Sequence, residues 1–156
     1  NTNSKLLREL AEKAPGTFQH SLQVANLAEA CANEIHANSM LVRTGALYHD
    51  IGKIKNPMYF TENQATNVNP HNELTPTDSA KIIIDHFING VEMARKNRIP
   101  DGIIYFIRTP QGTTLVSYFF RKEEFSGNLF AESNVHYTLP LPCSKETTIL
   151  IVCVFI

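Results

Sequence analysis

Apolar residues recur at steps of three and four along most of this chain, a spacing that predicts helices. The clearest stripe comprises Val24, Leu27, Ala28, Cys31 and Ile35, which fall on one face of a helix with 3.6 residues per turn. Similar stripes predict helices over residues 6–13, 40–48, 101–108 and 113–122, with a last helix opening at residue 144. No two segments alternate convincingly enough to pair as strands. The pattern predicts an all-α fold, a helical bundle of about six to eight helices.

Helix boundaries follow from capping residues and from Gly and Pro. Thr17 is a candidate cap for the helix after residue 16, and Thr75-Pro76 is a strong start for the helix that carries His86. We expect Gly90 to separate that helix from a further piece over residues 91–96. Residues 55–74 are polar and aperiodic, which predicts a long loop acting as a lid or lacking order.

The composition supports one domain without a nucleic-acid footprint. Hydrophobic residues make up 43% of the 156, which can fill one core but hardly two. The 14 basic and 15 acidic residues give a formal net charge of −1, so we expect no nucleic-acid duplex as a partner. The chain begins at Asn1 and ends in an apolar run, which suggests a single domain, 1–156, excised from or truncated relative to a longer protein.

The cysteines favour a reducing compartment. Cys31, Cys143 and Cys153 are odd in number and form no CxxC pair, which argues for free, buried thiols rather than a disulfide framework. Residues 1–12 are polar and charged, unlike a signal peptide. No apolar run reaches the ~20 residues of a membrane span. We therefore expect a cytoplasmic location.

The strongest signal for chemistry is the pair His49-Asp50 at the end of an apolar helix face. Adjacent helical side chains point about 100° apart, so both reach one site only where the helix is ending, and Gly52 supplies that ending. An imidazole and a carboxylate suit a divalent metal. Lys53 follows closely and can meet the charge of a phosphate.

Two further histidines, His20 and His86, lie on predicted apolar faces of other helices. Burying an imidazole without a partner costs about 1–3 kcal/mol, so a metal shared with His49 and Asp50 would satisfy all four groups. The alternative is that each histidine is hydrogen-bonded in the core, and periodicity alone does not decide between the two.

Longer motifs around these residues resemble a known family. The stretches 15–21 and 48–53, together with Glu62-Asn63-Gln64 and Asn69-Pro70-His71, are similar to HD-domain phosphohydrolases. They resemble in particular the cytosolic HD domain of the bacterial seven-transmembrane receptor-type HD proteins, over about residues 6–122 and again over 144–147. The resemblance implies a metal-dependent phosphodiesterase of cyclic di-AMP or a related nucleotide, joined to a membrane only through segments of a parent protein.

The resemblance also implies roles for individual residues. His20, His49, Asp50 and His86 correspond to metal ligands, with Asp50 bridging two ions, and Lys53 corresponds to the lysine beside the substrate phosphate. Asp50 and Lys53 are thus the candidate catalytic residues. The implied cofactor is a divalent transition metal, iron or manganese.

Three positions depart from the family pattern. Pro110 and Gln111 stand where the family has two adjacent histidine ligands, and Val154 stands at the place of a final aspartate ligand. Proline and valine offer no side-chain ligand atom, and glutamine offers only an amide oxygen. We therefore expect one bound ion rather than two, and hydrolysis impaired by the missing ligands.

Alternatives to a phosphodiesterase stay open. The chain could be an inactive HD module that binds a nucleotide or a single metal, or a structural or signalling domain whose histidines satisfy one another. The run after Thr147 also fits an altered or truncated reading of the sequence. All share one fold, so the sequence predicts architecture more firmly than activity. It leaves the metal's identity, the exact nucleotide and the oligomeric state open.

Overall fold

The structure is a computed structural model that describes residues 4–109 and 144–155, and this part of the chain is helical. It contains six α-helices: α1 (Lys5–Lys13), α2 (Pro15–Glu34), α3 (Ser39–Tyr48), α4 (Pro76–Lys96), α5 (Asp101–Arg108) and α6 (Lys145–Val154). Four short 3₁₀ turns lie between α3 and α4: Ile51–Lys55, Pro57–Tyr59, Thr61–Asn63 and Pro70–Glu73. The described residues form no strand. The predicted all-α class is confirmed, while the helix predicted over 113–122 lies outside the described residues.

The core forms where α1, α2, α3, α5 and α6 meet. Alanines on α2, among them Ala25 and Ala28, are fully buried and leave room for α3 to lie close. On the other side of α3, a Cβ at Gly45 would lie 2.3 Å from the ring of Phe106. Phe106 therefore packs directly on the α3 backbone. Removing its ring would cost about 3–5 kcal/mol through lost burial and the cavity left behind.

Side-chain caps set several helix starts. The Ser4 hydroxyl accepts from the backbone N–H of Leu7 at the start of α1. Thr75 accepts from the N–H of Asp78 at the start of α4, as its sequence predicts. Ser144 opens α6 in a capping box with Thr147. Each such cap contributes about 1 kcal/mol.

Two predicted boundaries are wrong. Thr17 does not cap α2, because that helix already begins at Pro15 and Thr17 is buried inside its first turn. Gly90 does not interrupt a helix, because α4 runs through it to Lys96. A Cβ at Gly90 would lie 2.8 Å from the Ile107 side chain and 3.4 Å from the backbone nitrogen of Gly52. Gly90 thus serves close packing between α4 and its neighbours.

The two cysteines among the described residues do not form a disulfide. Cys31 is partly buried on α2, Cys153 is buried on α6, and both are free thiols. The third, Cys143, lies outside the described residues. None of the helices among residues 4–109 and 144–155 combines the length and the apolarity needed to cross a membrane.

Candidate metal centre

The centre is built where α3 ends. His49 still has helical backbone angles, whereas Asp50 departs from them at φ −111° and ψ 16° and leads into the 3₁₀ turn Ile51–Lys55. This change lets two adjacent side chains turn to one point, and both are buried. The Nε2 atom of His49 lies 3.3 Å from Oδ2 of Asp50.

Gly52 has a different part in this geometry from the one predicted. Its backbone is not left-handed, so it is no ordinary C-terminal glycine. A Cβ there would lie 1.7 Å from the carbonyl oxygen of His86 and 2.7 Å from the nitrogen of Gly90. The missing side chain therefore lets the turn after Asp50 lie directly on α4, which brings His86 to the site.

All four predicted ligand residues meet around Asp50. Ligand atoms of His20, His49 and Asp50 lie within 4.8 Å of one another. On the other side, Nε2 of His86 lies 3.6 Å from Oδ1 of Asp50. The carboxylate thus presents one oxygen to His49 and the other to His86. The structure brings the four residues together; their role as ligands stays a prediction.

The hydrogen bonds of two histidines define which nitrogens face the carboxylate. Nδ1 of His49 lies 2.6 Å from the carbonyl oxygen of Ala46, and Nδ1 of His86 contacts the carbonyl oxygen of Ile83. A carbonyl only accepts, so each Nδ1 carries the proton, and in a neutral ring each Nε2 presents a lone pair. In their neutral forms the two rings therefore turn Nε2 lone pairs to both oxygens of Asp50.

Such facing acceptors need a proton or a cation between them. The buried Nε2 of His49 makes no hydrogen bond with any residue in the described ranges 4–109 and 144–155. A divalent cation would accept electron pairs from imidazole and carboxylate together, and both are ordinary ligands of iron and manganese. The donor set therefore fits the metal that the family resemblance implies.

The carboxylate of Asp50 and the ammonium of Lys53 are both held in their charged forms. Burial raises the pKa of Asp50, but the positive charge that His49 carries when protonated, together with that of Lys53, outweighs it and holds the pKa well below its usual range. Burial lowers the pKa of Lys53, but Asp50 and Glu62 outweigh it and raise the pKa above its usual value. Burial lowers the pKa of His20, which favours the neutral imidazole that a metal requires.

One residue of the site, Glu62, was not predicted. The Lys53 ammonium lies 2.8 Å from Oδ2 of Asp50 and 2.7 Å from Oε1 of Glu62. Burial raises the pKa of Glu62, but the Lys53 charge outweighs it and lowers the pKa. The sequence could have indicated this residue. A buried lysine needs an acidic partner, and Glu62 is the only acidic residue between Asp50 and Glu73.

The turn that carries Glu62 is fastened to the start of α2. The N–H of Thr17 donates to Oδ1 of Asn63 at 3.0 Å, and Nδ2 of Asn63 donates to the Thr17 hydroxyl at 2.8 Å. That hydroxyl donates to Glu62 at 3.0 Å. A Cβ at Gly16 would lie 1.8 Å from the carbonyl oxygen of Glu62. The stretch predicted as a lid or as lacking order is in this part a set of ordered turns beside the centre.

The three departures from the family pattern have different outcomes. Val154 is the last residue of α6 and packs, partly buried, against the hydrophobic core. It offers the centre no ligand atom. Pro110 and Gln111 lie outside the described residues.

Known proteins similar to this chain identify its family. The family model described as "HD domain" matches residues 17–132, most of the chain. The chain belongs to the HD-domain family. Two relatives named cyclic-di-AMP phosphodiesterase PgpH are similar to it: that of Listeria monocytogenes is 47% identical and that of Bacillus subtilis 41% identical, each over 150 residues.

The extent of these matches differs between relatives and structures. The alignment covers 96% of this chain but only 21% of either PgpH protein, so this HD chain spans about a fifth of the length of the curated relatives. A crystal structure of the L. monocytogenes PgpH HD domain in complex with cyclic-di-AMP superposes with a TM-score of 0.91 at 45% identity. That match covers 99% of this chain and 72% of the other. The predicted HD fold is therefore confirmed at the level of the whole domain.

Proposed function

We propose that this HD domain is a metal-dependent phosphodiesterase whose substrate is cyclic di-AMP or a related nucleotide. The observation that carries the proposal is the Asp50 carboxylate with the Nε2 atoms of His49 and His86 facing its two oxygens. The names of the PgpH relatives and the ligand of the solved PgpH domain support the choice of a cyclic dinucleotide.

The ligand atoms of His20, His49 and Asp50 would hold one divalent cation, iron or manganese, with His86 on the far side of the carboxylate. When bound, such a cation supplies Lewis-acid stabilisation of the charge that develops on phosphoryl oxygens. We expect one ion rather than two, because Val154 provides no ligand and neither does the side chain of Pro110.

The charge balance of the site explains why the metal would bind before the substrate. Asp50 and Glu62 are carboxylates and Lys53 is the ammonium between them, so the group as described is net negative and repels a phosphodiester. A divalent cation makes the sum positive. Lys53, whose side chain is 14% exposed, can then contact a phosphate oxygen as a charged donor.

The experiment measures metal content and hydrolysis together. The purified chain is analysed for iron and manganese, then incubated with cyclic di-AMP and Mn²⁺ while the linear product is followed by chromatography. Bound metal and product formation that both disappear in Asp50→Ala support the proposal. Glu9→Gln, which alters an exposed ion pair with Lys13 on α1, is the matched control and should behave as wild type.

A second candidate is a binding module without turnover, and the apolar Val154 at an expected ligand position favours it. It predicts cyclic di-AMP binding and about one metal ion without any product. Absence of both metal and nucleotide binding, with a melting temperature unaffected by chelator, would contradict both candidates and leave the histidines a structural role.

A further inference from the structure

The Lys53 ammonium occupies a position that conflicts with a cation at the centre. Its nearest Asp50 atom is Oδ2, the same oxygen that lies 3.3 Å from Nε2 of His49. A cation held by His49 and Asp50 must approach that oxygen. Because like charges repel strongly in a buried site, Lys53 has to release Oδ2 when the cation binds.

Glu62 gives the ammonium a second place to bind. Its Oε1 is 2.7 Å from Nζ of Lys53, and the Thr17 hydroxyl fixes the same oxygen at 3.0 Å. The ring of Phe60, from the adjacent turn, lies 4.8 Å from the ammonium and can stabilise it by a cation–π contact. The acceptor is therefore held in place before Lys53 needs it.

We propose that Glu62 is a positioning residue that holds the Lys53 ammonium off Asp50 when a metal binds, and keeps it at the edge of the site for the phosphate. The inference rests on the proposed function. Without the Glu62 contact, the only carboxylate within reach of Lys53 among the described residues would be Asp50. Separating that pair would then leave a largely buried ammonium unpaired, which is costly, so Lys53 would compete with the metal.

Glu62→Asp tests the contact separately from the charge. Aspartate keeps the negative charge but is one methylene shorter, so it cannot reach both Lys53 and Thr17 from the same backbone position. Titration calorimetry with Mn²⁺ on the metal-free chain gives the affinity for wild type, Glu62→Asp, Lys53→Met and the double variant. The exposed pair Glu9–Lys13, also 2.7 Å apart, provides Glu9→Asp as a matched control.

We expect Glu62→Asp to weaken Mn²⁺ binding about tenfold in the Lys53 chain, with little effect in the Lys53→Met chain. Glu9→Asp should leave the affinity unchanged. Wild-type affinity in Glu62→Asp would overturn the inference, because Glu62 would then have no part in metal binding. An equal loss with and without Lys53 would also overturn it, because the Glu62 charge would then act on the metal without Lys53.

Two further measurements keep the test decisive. If Glu62→Asp lowers the melting temperature too far for titration, Glu62→Gln keeps the side-chain length and the bond from Thr17, and it should also weaken Mn²⁺ binding more in the Lys53 chain than in the Lys53→Met chain. A wild-type chain that binds no Mn²⁺ would overturn the proposed function as well. Mn²⁺ binding that is indifferent to residue 62 would overturn this inference alone.

Discussion

Gly52 lies on the backbone of His86, so closely that a Cβ on Gly52 would be 1.7 Å from the His86 carbonyl oxygen. The contact joins the turn that follows Asp50 to the helix that supplies the fourth histidine. Both sides of the contact are backbone, so neither can move aside as a flexible side chain would. The distance between Asp50 and His86 thus depends on an absent methyl group.

Gly52→Ala should separate the turn from α4. We expect a loss of about 1–3 kcal/mol in unfolding free energy, the usual cost of overpacking, together with weaker Mn²⁺ binding because His86 moves from Asp50. Urea unfolding and Mn²⁺ titration measure the two effects. Gly102→Ala is the control, since a Cβ on Gly102 would meet no atom of residues 4–109 or 144–155 within 4 Å and should leave stability equal or slightly higher. Equal behaviour of the two variants would contradict the packing argument.

Asn63→Ala should loosen the turn that carries Glu62. The change removes the acceptor of the Thr17 N–H and leaves that group buried without a partner, at a cost of about 1–3 kcal/mol. Urea unfolding gives the stability, and hydrogen exchange at the Thr17 amide reports the lost bond directly. Asn97→Ala, at an exposed asparagine whose side chain donates to the carbonyl of Met93 in its own helix end, should change stability much less. Unaltered exchange at Thr17 in Asn63→Ala would show that the bond does not form.

Mn²⁺ should stabilise the folded chain, because the four candidate ligands meet only when α2, α3 and α4 are packed. At a free metal concentration of 100 times the dissociation constant, the gain is about 2.7 kcal/mol. Thermal unfolding with and without Mn²⁺ measures it, and chelator should reverse it. Asp50→Asn should lose most of the shift. An undiminished shift in Asp50→Asn would place the metal elsewhere.

Cys153 should make the chain less stable at alkaline pH. Burial, followed by the neighbouring Cys31, raises the pKa of the Cys153 thiol to about 11. The folded chain therefore keeps a proton that the unfolded chain loses above about pH 9. Its contribution is fully present below pH 9 and is lost as pH rises from about 9 to 11.

The difference between wild type and Cys153→Ala isolates this effect, because lysines and tyrosines titrate in the same range in both chains. Urea midpoints at steps between about pH 8 and 11 should fall more steeply for wild type. Parallel curves would mean that the thiol ionises as readily in the folded chain as in the unfolded one.

Local spacing in the sequence determined the positions of most of the described helices. The steps of three and four predicted α1, α3 and α5, and the Thr75-Pro76 start predicted the beginning of α4, because helix formation and capping depend on residues within one or two turns. The end of α3 at His49-Asp50 was also predicted, although Gly52 acts there through close packing on α4 and not as a C-terminal glycine. Periodicity alone placed both histidines on inward helix faces, and the structure has His86 buried and His20 partly buried.

Only the tertiary structure decided which of those faces meet. Thr17 and Asn63 are separated by 46 positions, and Lys53 and Glu62 come from different turns, so no local period connects them. Glycine has a low intrinsic helix preference, which predicted a break at Gly90. Yet α4 continues through Gly90, because Ile107 and Gly52 pack against it. The sequence encoded each segment's faces through short-range geometry, whereas the pairing of Asp50, Lys53 and Glu62 arose from packing between distant segments.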